Sequence, residues 1–451
     1  SGATESTVQI SRTGKDGYAS AKWKMPTSLG PVSCTATAAK ENGEELSGSP
    51  ISFTATSVTG EAYKMLSLTT ADTLSGVAGK PLSQLLRVRV TDRNDLPKGG
   101  YFVTFVVTKG GGSLSNGLTS ASTQTVATSV DSGIAEVTWT LGTVRGVANN
   151  IVQARAAVTV NPTLTFQASA KPDIPSRLIE DKTAKDQVGK VGVALAQPIK
   201  VQIVDQYGNG VPNHAVVFTV QGADSVRGNI DGLATKTVPT DIDGFARVNW
   251  VLGKRPGSRN NIMEVTSRHI NTLLTNAPYV FYATAIIGDP ALIAMKSDTA
   301  KLSAGTTIGA ALSEPLRVRV TDMFANPIAN QEVVFEVMST AAAGGGTLDG
   351  VVDTKKTVLT DSYGMASVLF YCGNKYGYKI NRVEARAEFA SQKLSGSPVT
   401  FFISGRASNA AKIQAKGGNN QNGTVGQYLA DELQVMRSEE RRVGKECRLT
   451  C

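Results

Sequence analysis

Gly133-Ile134-Ala135-Glu136-Val137-Thr138-Trp139 alternates small or apolar residues with polar ones and ends on an aromatic. Successive side chains on a strand point to opposite faces, so Ala135, Val137 and Trp139 share one side. Such alternation marks a half-buried antiparallel strand, here with an aromatic plug facing the core. The glycine ahead of it closes a tight turn that needs a special backbone conformation. The same stretch occurs at Gly17 to Trp23 (GYASAKW), Gly244 to Trp250 (GFARVNW) and Gly364 to Phe370 (GMASVLF). The four glycines are 116, 111 and 120 residues apart, and every Trp of the chain falls on the same position. Trp23, Trp139, Trp250 and Phe370 are therefore expected as core side chains, and Gly17, Gly133, Gly244 and Gly364 as turn residues.

Working upstream from each complete copy, a second unit appears. It is Leu86 to Asp92 (LRVRVTD), Ile199 to Asp205 (IKVQIVD) and Leu316 to Asp322 (LRVRVTD). Each is again a period-2 strand, closed by Asp92, Asp205 or Asp322 at a turn. RNDLPKG, QYGNGVPN and MFANPIAN follow, and their Asn, Gly and Pro content marks a hairpin or loop. Working downstream, a third unit closes each copy around Phe53, Phe166, Phe281 and Phe401, preceded by strands such as NNIVQARA and NNIMEVTS. About seven short strands per roughly 115 residues, with no sustained helical period, predict an all-β chain of tandem immunoglobulin-like β-sandwiches.

The repeats set the boundaries. Residues 1–58 read as the C-terminal half of one repeat, 59–174, 175–290 and 291–408 as complete repeats, and 409–436 as the start of another truncated one. Residues 437–451, RSEERRVGKECRLTC, resemble translated sequencing adapter and are set aside as an artefactual tail. That tail holds five basic and three acidic residues, so the net charge without it is +7 rather than +9. It also holds two of the four cysteines. Cys34 and Cys372 remain, in different repeats, and are expected as buried, inert thiols with no intramolecular disulfide. The basic residues are scattered and not interleaved with aromatics, which argues against nucleic acid as a partner. No run of apolar residues is long enough for a membrane span.

At this point the residues resemble the bacterial immunoglobulin-like repeats of the intimin and invasin family, the Big-1 type. Those repeats look like PLxVxVxD, a GN-type turn, VxF, TDxxGxAxVxW and a closing strand. Here the stretches are Pro198 to Asp205, Gly208 to Pro212, Val216 to Phe218, Thr240 to Trp250 and Tyr279 to Ala285. The resemblance covers nearly all of residues 1–436. It implies a β-sandwich stalk, exported and displayed on a bacterial surface, often in adhesins. This chain holds neither the anchoring barrel nor the lectin-like tip of that family.

Each candidate site in the sequence has a plainer structural reading. His214 and His269 have no metal-ligand spacing and read as solvated imidazoles. Gly110 to Gly112 and Gly344 to Gly346 lack the Lys-Ser/Thr of a phosphate loop and read as flexible loops. Asp241 and Asp361 suggest calcium, but Gly14 and Val130 stand at the equivalent positions, and the motif on its own offers too few oxygens for a site that wants about six to eight. No serine stands in a nucleophile-elbow motif. The sequence therefore predicts no catalytic residue, no cofactor and no metal. It points to a non-catalytic, monomeric, extended spacer that supports cell adhesion, with an unknown protein or glycan on another cell as partner. The alternatives are repeats that themselves bind carbohydrate or protein, and an appendage of a large secreted enzyme.

Overall fold

The computed structural model describes residues 7–70, 74–340, 344–409, 412–438 and 446–448. Nearly all regular structure is strand; the helices are short pieces at Lys182–Ala184, Asp224–Arg227 and Thr299–Ala304. The chain is an all-β array of immunoglobulin-like β-sandwiches.

Two sheets face each other in the region of the Gly133 stretch. One has the spatial order Lys64–Ser67, Leu86–Thr91, Ile134–Thr140, Ser113–Ser115, Ser120–Ala121. The other runs Leu74–Val77, Thr163–Lys171, Gly146–Arg155, Phe102–Lys109, Thr123–Ala127. Pairing is antiparallel except where Leu74–Val77 lies parallel to Thr163–Lys171. The same central arrangement recurs twice. Ile199–Val204 and Leu316–Thr321 pair with Phe245–Val248 and Met365–Val368, as Leu86–Thr91 pairs with Ile134–Thr140. Between the sheets lie three separate buried clusters, spanning Met65 to Ala170, Leu178 to Ala285 and Ile293 to Ile403. The period-2 pattern fixes which side chains enter them: Leu86, Val88 and Val90 are buried, whereas the alternating Arg87 and Arg89 stay on the outer face.

Trp139, Trp250 and Phe370 have no exposed surface. The glycine six residues ahead of each adopts positive φ, at +64° for Gly133, +81° for Gly244 and +74° for Gly364. Its carbonyl accepts from Val90, Ile203 or Val320 on the neighbouring strand. A Cβ on these glycines would lie 2.7, 2.5 and 2.4 Å from a backbone carbonyl of that strand. Positive φ and close approach thus both require Gly.

Trp23 departs from the expectation. It is 37% exposed, and Tyr18 to Lys24 pair with no strand among the described residues. Gly17 has the positive φ of its counterparts, at +83°, but a Cβ there would meet nothing within 4 Å. The reason is a missing neighbour: no described strand before Gly30 occupies the place that Leu86–Thr91 takes beside Ile134–Thr140. Period-2 alternation creates an apolar face but supplies no second layer to cover it. What is ordered in this part is the hairpin of Gly30–Ala36 with Ile51–Ser57. Cys34 lies on it and is exposed, so only Cys372 fits the buried-thiol reading; burial pushes the Cys372 thiol pKa up, against an opposing contact from Asn381.

Replacing Trp139 or Trp250 with Ala should cost roughly 3–5 kcal/mol and unfold mainly the cluster that contains it. Urea titration of the single variants, followed by far-ultraviolet circular dichroism, measures this; a loss below about 1 kcal/mol would show that neither ring holds its sandwich together.

Candidate functional site: the junctions between repeats

The described structure brings most of the unusual polar side chains to one recurring place, the seam between consecutive sandwiches. It begins with the aspartate that closes the Leu86, Ile199 and Leu316 strands. Asp92, Asp205 and Asp322 are almost completely buried. In each, Oδ1 accepts from two backbone N–H groups of its own turn: Asn94 and Leu96, Tyr207 and Asn209, Phe324 and Asn326, at 2.8–3.0 Å. This is the turn role expected from sequence. The other oxygen does something the sequence did not reveal. Oδ2 accepts from the N–H of the incoming linker: Gly60 at 3.0 Å, Asp173 at 2.9 Å and Gly288 at 3.2 Å. One carboxylate therefore fastens the turn to the segment that arrives from the preceding repeat. Burial works to raise the Asp92 pKa, but the N–H groups of Gly60, Leu96 and Asn94 and the Lys98 charge outweigh it and hold the carboxyl below its ordinary value.

Two further side chains complete the seam at the second and third of these turns. Two residues after the aspartate stand Tyr207 and Phe324; four residues after it stand Asn209 and Asn326. The Tyr207 ring covers Gly79 and the Phe324 ring covers Gly192, so close that a Cβ on either glycine would come within 2.3 Å of the ring or its hydroxyl. Both glycines have positive φ, +71° and +69°. Phe324 packs against the buried cluster of the preceding sandwich, with Lys254 Nζ 5.9 Å from its centroid. Asn209 Nδ2 donates to Asp205 Oδ2 and, across the seam, to the Thr143 carbonyl, each at 2.8 Å. Asn326 Nδ2 does the same with Asp322 Oδ2 and the Lys254 carbonyl, also at 2.8 Å.

The receiving loops are themselves held. Asn150 Oδ1 accepts from Gly142 N–H and its Nδ2 donates to Asn149, whose own Nδ2 donates to the Val144 carbonyl. Asn261, Gly253, Asn260 and Arg255 repeat the arrangement. Asn150 and Asn261 are fully buried, and such fully paired networks are rigid. Gly110 is part of the same packing, since a Cβ there would lie 2.5 Å from Asn150 Oδ1. It is a close-approach glycine and not a flexible loop residue.

The seams are not identical. Between the sandwiches that hold Trp139 and Trp250, Arg145 N–H donates to Asn209 Oδ1 at 2.9 Å, its guanidinium donates to the Ile242 carbonyl, and it pairs with Asp243. Lys80 lies 3.6 Å from Asp173 in the linker. At the next seam Lys190 contacts both oxygens of Asp289 at 2.8 Å. At the Asp92 turn, Asn94 and Leu96 stand where the aromatic and the Asn would be.

The remaining candidates fall elsewhere. Asp241 and Asp361 accept from N–H groups of their own turns, Asp243 and Phe245, Tyr363 and Met365. His214 corrects the solvated reading: it is partly buried, its Nε2 lacks a partner, and burial followed by the proximity of His269 pushes its pKa down. Among the described residues no three His, Cys, Asp or Glu side chains converge as a metal site would need, and no helix is long and apolar enough to cross a membrane. The Asn pairs and the Tyr/Phe-x-Asn spacing were missed in the sequence. Their signal was the matching register of QYGN and MFAN after an aspartate.

No protein-family model matches the chain, and no curated protein matches it. Solved structures do. The chain is similar to the Escherichia coli adhesin FdeC at 15% identity, covering 77% of this chain and 99% of that one, with a TM-score of 0.41. It is similar to Yersinia pseudotuberculosis InvD at 14% identity, covering 73% and 95%, with a TM-score of 0.37. Invasin, a bacterial integrin-binding protein, follows at 15% identity, 83% and 67% coverage and a TM-score of 0.32. The fold defines the class, a tandem immunoglobulin-like β-sandwich protein; the solved structures it is similar to include several bacterial adhesins.

Two outcomes follow from the carboxylates. Asp92 has a native pKa below its unfolded value, so its contribution is present at neutral pH and is lost as pH falls through the ordinary value of 3.8 toward the depressed one. Asp92→Asn should therefore flatten the acid limb of the pH–stability curve of its sandwich, measured by thermal melts between pH 6 and pH 2 (about one unit per step). The Asp205 and Asp322 oxygens are already occupied by N–H donors, so a chelator should leave the melting temperature unchanged; a large drop would place a cation in the seam.

Proposed function

We propose that this chain is a non-catalytic spacer of a bacterial adhesin-like protein, displayed at the cell surface or secreted, with 59–174, 175–290 and 291–408 as its complete repeats. The observation that carries this reading is the repeated seam. Two successive junctions use the same parts in the same register: a linker N–H on a buried aspartate, an aromatic ring on a positive-φ glycine, and an Asn bridging to the preceding loop. Contacts between domains of one chain are ordinarily modest and leave relative motion as the default. A seam that recurs with its own dedicated residues acts against that motion, which suits a part whose task is to hold something at a distance. Trp139, Trp250 and Phe370 serve this role indirectly, as plugs that keep each unit rigid; Gly133, Gly244 and Gly364 shape the turns that aim them. The resemblance to intimin and invasin repeats supports the surface location, and a protein or glycan on another cell is the partner the spacer would serve.

Each sandwich adds roughly 35–40 Å if its strands run about ten residues, so residues 59–408 should form a particle near 110 Å long. Small-angle scattering measures this, and a compact particle of about 60–70 Å would sink the spacer reading. Tyr207→Ala with Asn209→Ala should broaden the distance distribution between spin labels placed on the first and second complete repeats. The distribution between the second and third should stay as it was.

A further inference from the structure

We propose that the edge strand Thr123–Ala127 of the first complete repeat pairs with the same strand of a second copy of this chain, antiparallel and centred on Thr125. Thr123–Ala127 pairs with Phe102–Lys109 on one side only and is the last strand of its sheet. Val107 N–H donates to the Ser122 carbonyl and Thr128 N–H to the Tyr101 carbonyl, both at 2.8 Å. In an antiparallel ladder hydrogen-bonded pairs alternate with non-bonded ones. Ser122, Gln124, Val126 and Thr128 therefore face inward with their backbone groups. Thr123, Thr125 and Ala127 turn theirs toward open solvent.

The same strand exists twice more, in the same phase. Thr235–Pro239 and Lys355–Leu359 are the equivalent edges, and the bonds Val220 to Ala234, Thr240 to His214, Val337 to Thr354 and Thr360 to Gln331 set their register. Their outward residues are Thr235, Thr237 and Pro239, and Lys355, Thr357 and Leu359. Natural sheets protect open edges with Pro, which removes a donor, and with Lys, whose charge resists a second strand. Each of the later repeats carries one of these devices at an outward position. The first repeat carries neither: its outward set is Thr, Thr, Ala, and the whole strand, TQTVA, is uncharged.

The identity of the occupant follows from symmetry. A two-fold axis through Thr125 places Thr123 of one copy opposite Ala127 of the other, and each outward donor meets an outward acceptor. The neutral strand sets no like charges against each other across the axis. Of the three equivalent edges on this chain, only this one is open to complete the pairing. The proposed pairing would replace the monomer expected from sequence. The proposal is independent of the spacer reading, since it concerns a lateral edge and not the seams.

The test is sedimentation velocity of the full chain from about 1 to about 500 µM. A concentration-dependent dimer is expected. Thr123→Lys with Ala127→Pro transplants both protective devices from the neighbouring repeats and should raise the dimer dissociation constant at least about tenfold. Thr235→Lys adds the same charge to the second repeat's edge and should leave it unchanged. Melting curves confirm that the variants fold; if the double variant melts early, Thr125→Lys takes its place. A monomer throughout the range overturns the proposal, as does a dimer that the edge variants leave intact. A chain that stays monomeric yet captures an unrelated extended peptide on this strand overturns it as well.

Discussion

The arrangement depends on a buried carboxylate that has two jobs. Burying a charge is costly unless hydrogen bonds replace the water it loses. Asp205 and Asp322 replace it with four donors each: two N–H groups of their own turn, one N–H of the incoming linker, and the side chain of an Asn four residues on. Because the linker supplies one donor, the turn is fully satisfied only when the linker is in place. Local folding of one sandwich and attachment to the one before it are thereby coupled through a single side chain. Removing the linker bond would leave an under-satisfied buried oxygen, and that penalty disfavours the detached state.

From that anchor the rest of the seam is geometrically determined. The turn held by Oδ1 presents its second residue outward, where the aromatic reaches the preceding sandwich. The fourth residue faces back toward Oδ2 and across to a carbonyl. The receiving surface must then be close and firm. Gly79 and Gly192 give closeness, since any side chain there would occupy the space of the ring. The Asn149–Asn150 and Asn260–Asn261 pairs give firmness, holding the loops whose Thr143 and Lys254 carbonyls accept the bridge. The third sandwich shows what happens when one member of a pair changes. Ile380 replaces the first Asn, and the fully buried Asn381 contacts only Cys372 Sγ and the Ile403 carbonyl through Nδ2, with Oδ1 unpartnered.

The sandwich architecture was legible because period-2 alternation is a direct consequence of strand geometry. Leu86 to Asp92 and Gly133 to Trp139 announce both their strands and their buried faces. Trp23 marks the limit of that reasoning: its alternation matches the others, but burial needs a covering layer, and alternation within one segment does not guarantee one. The seam was harder to read for a related reason. Asp92, Asp205 and Asp322 look alike in a sequence, and a turn fully accounts for one of their oxygens. The second oxygen bonds a linker 32 to 34 residues earlier, a distance over which no local pattern speaks. Tyr207 and Asn209 read as ordinary loop residues until the glycine and the carbonyl they meet are known.

The differences among repeats carry more than their likeness does. A shared core needs a shared pattern, so Trp139, Trp250 and Phe370 say little about what distinguishes one sandwich from the next. Edge strands and seams are freer, because neither is dictated by the core. There the sandwiches that hold Trp250 and Phe370 agree with one another in having the aromatic-and-Asn seam turn and a protected outer edge. The first repeat has Asn94 and Leu96 in its turn and an unprotected Thr-Thr-Ala edge. Two independent features, one at the end of the sandwich and one at its side, thus set the same repeat apart. A strand edge left open costs a protein some risk of unwanted association. Its presence in one repeat, beside two that show how readily the same strand accepts Lys or Pro, is the asymmetry that a purely uniform spacer would not need.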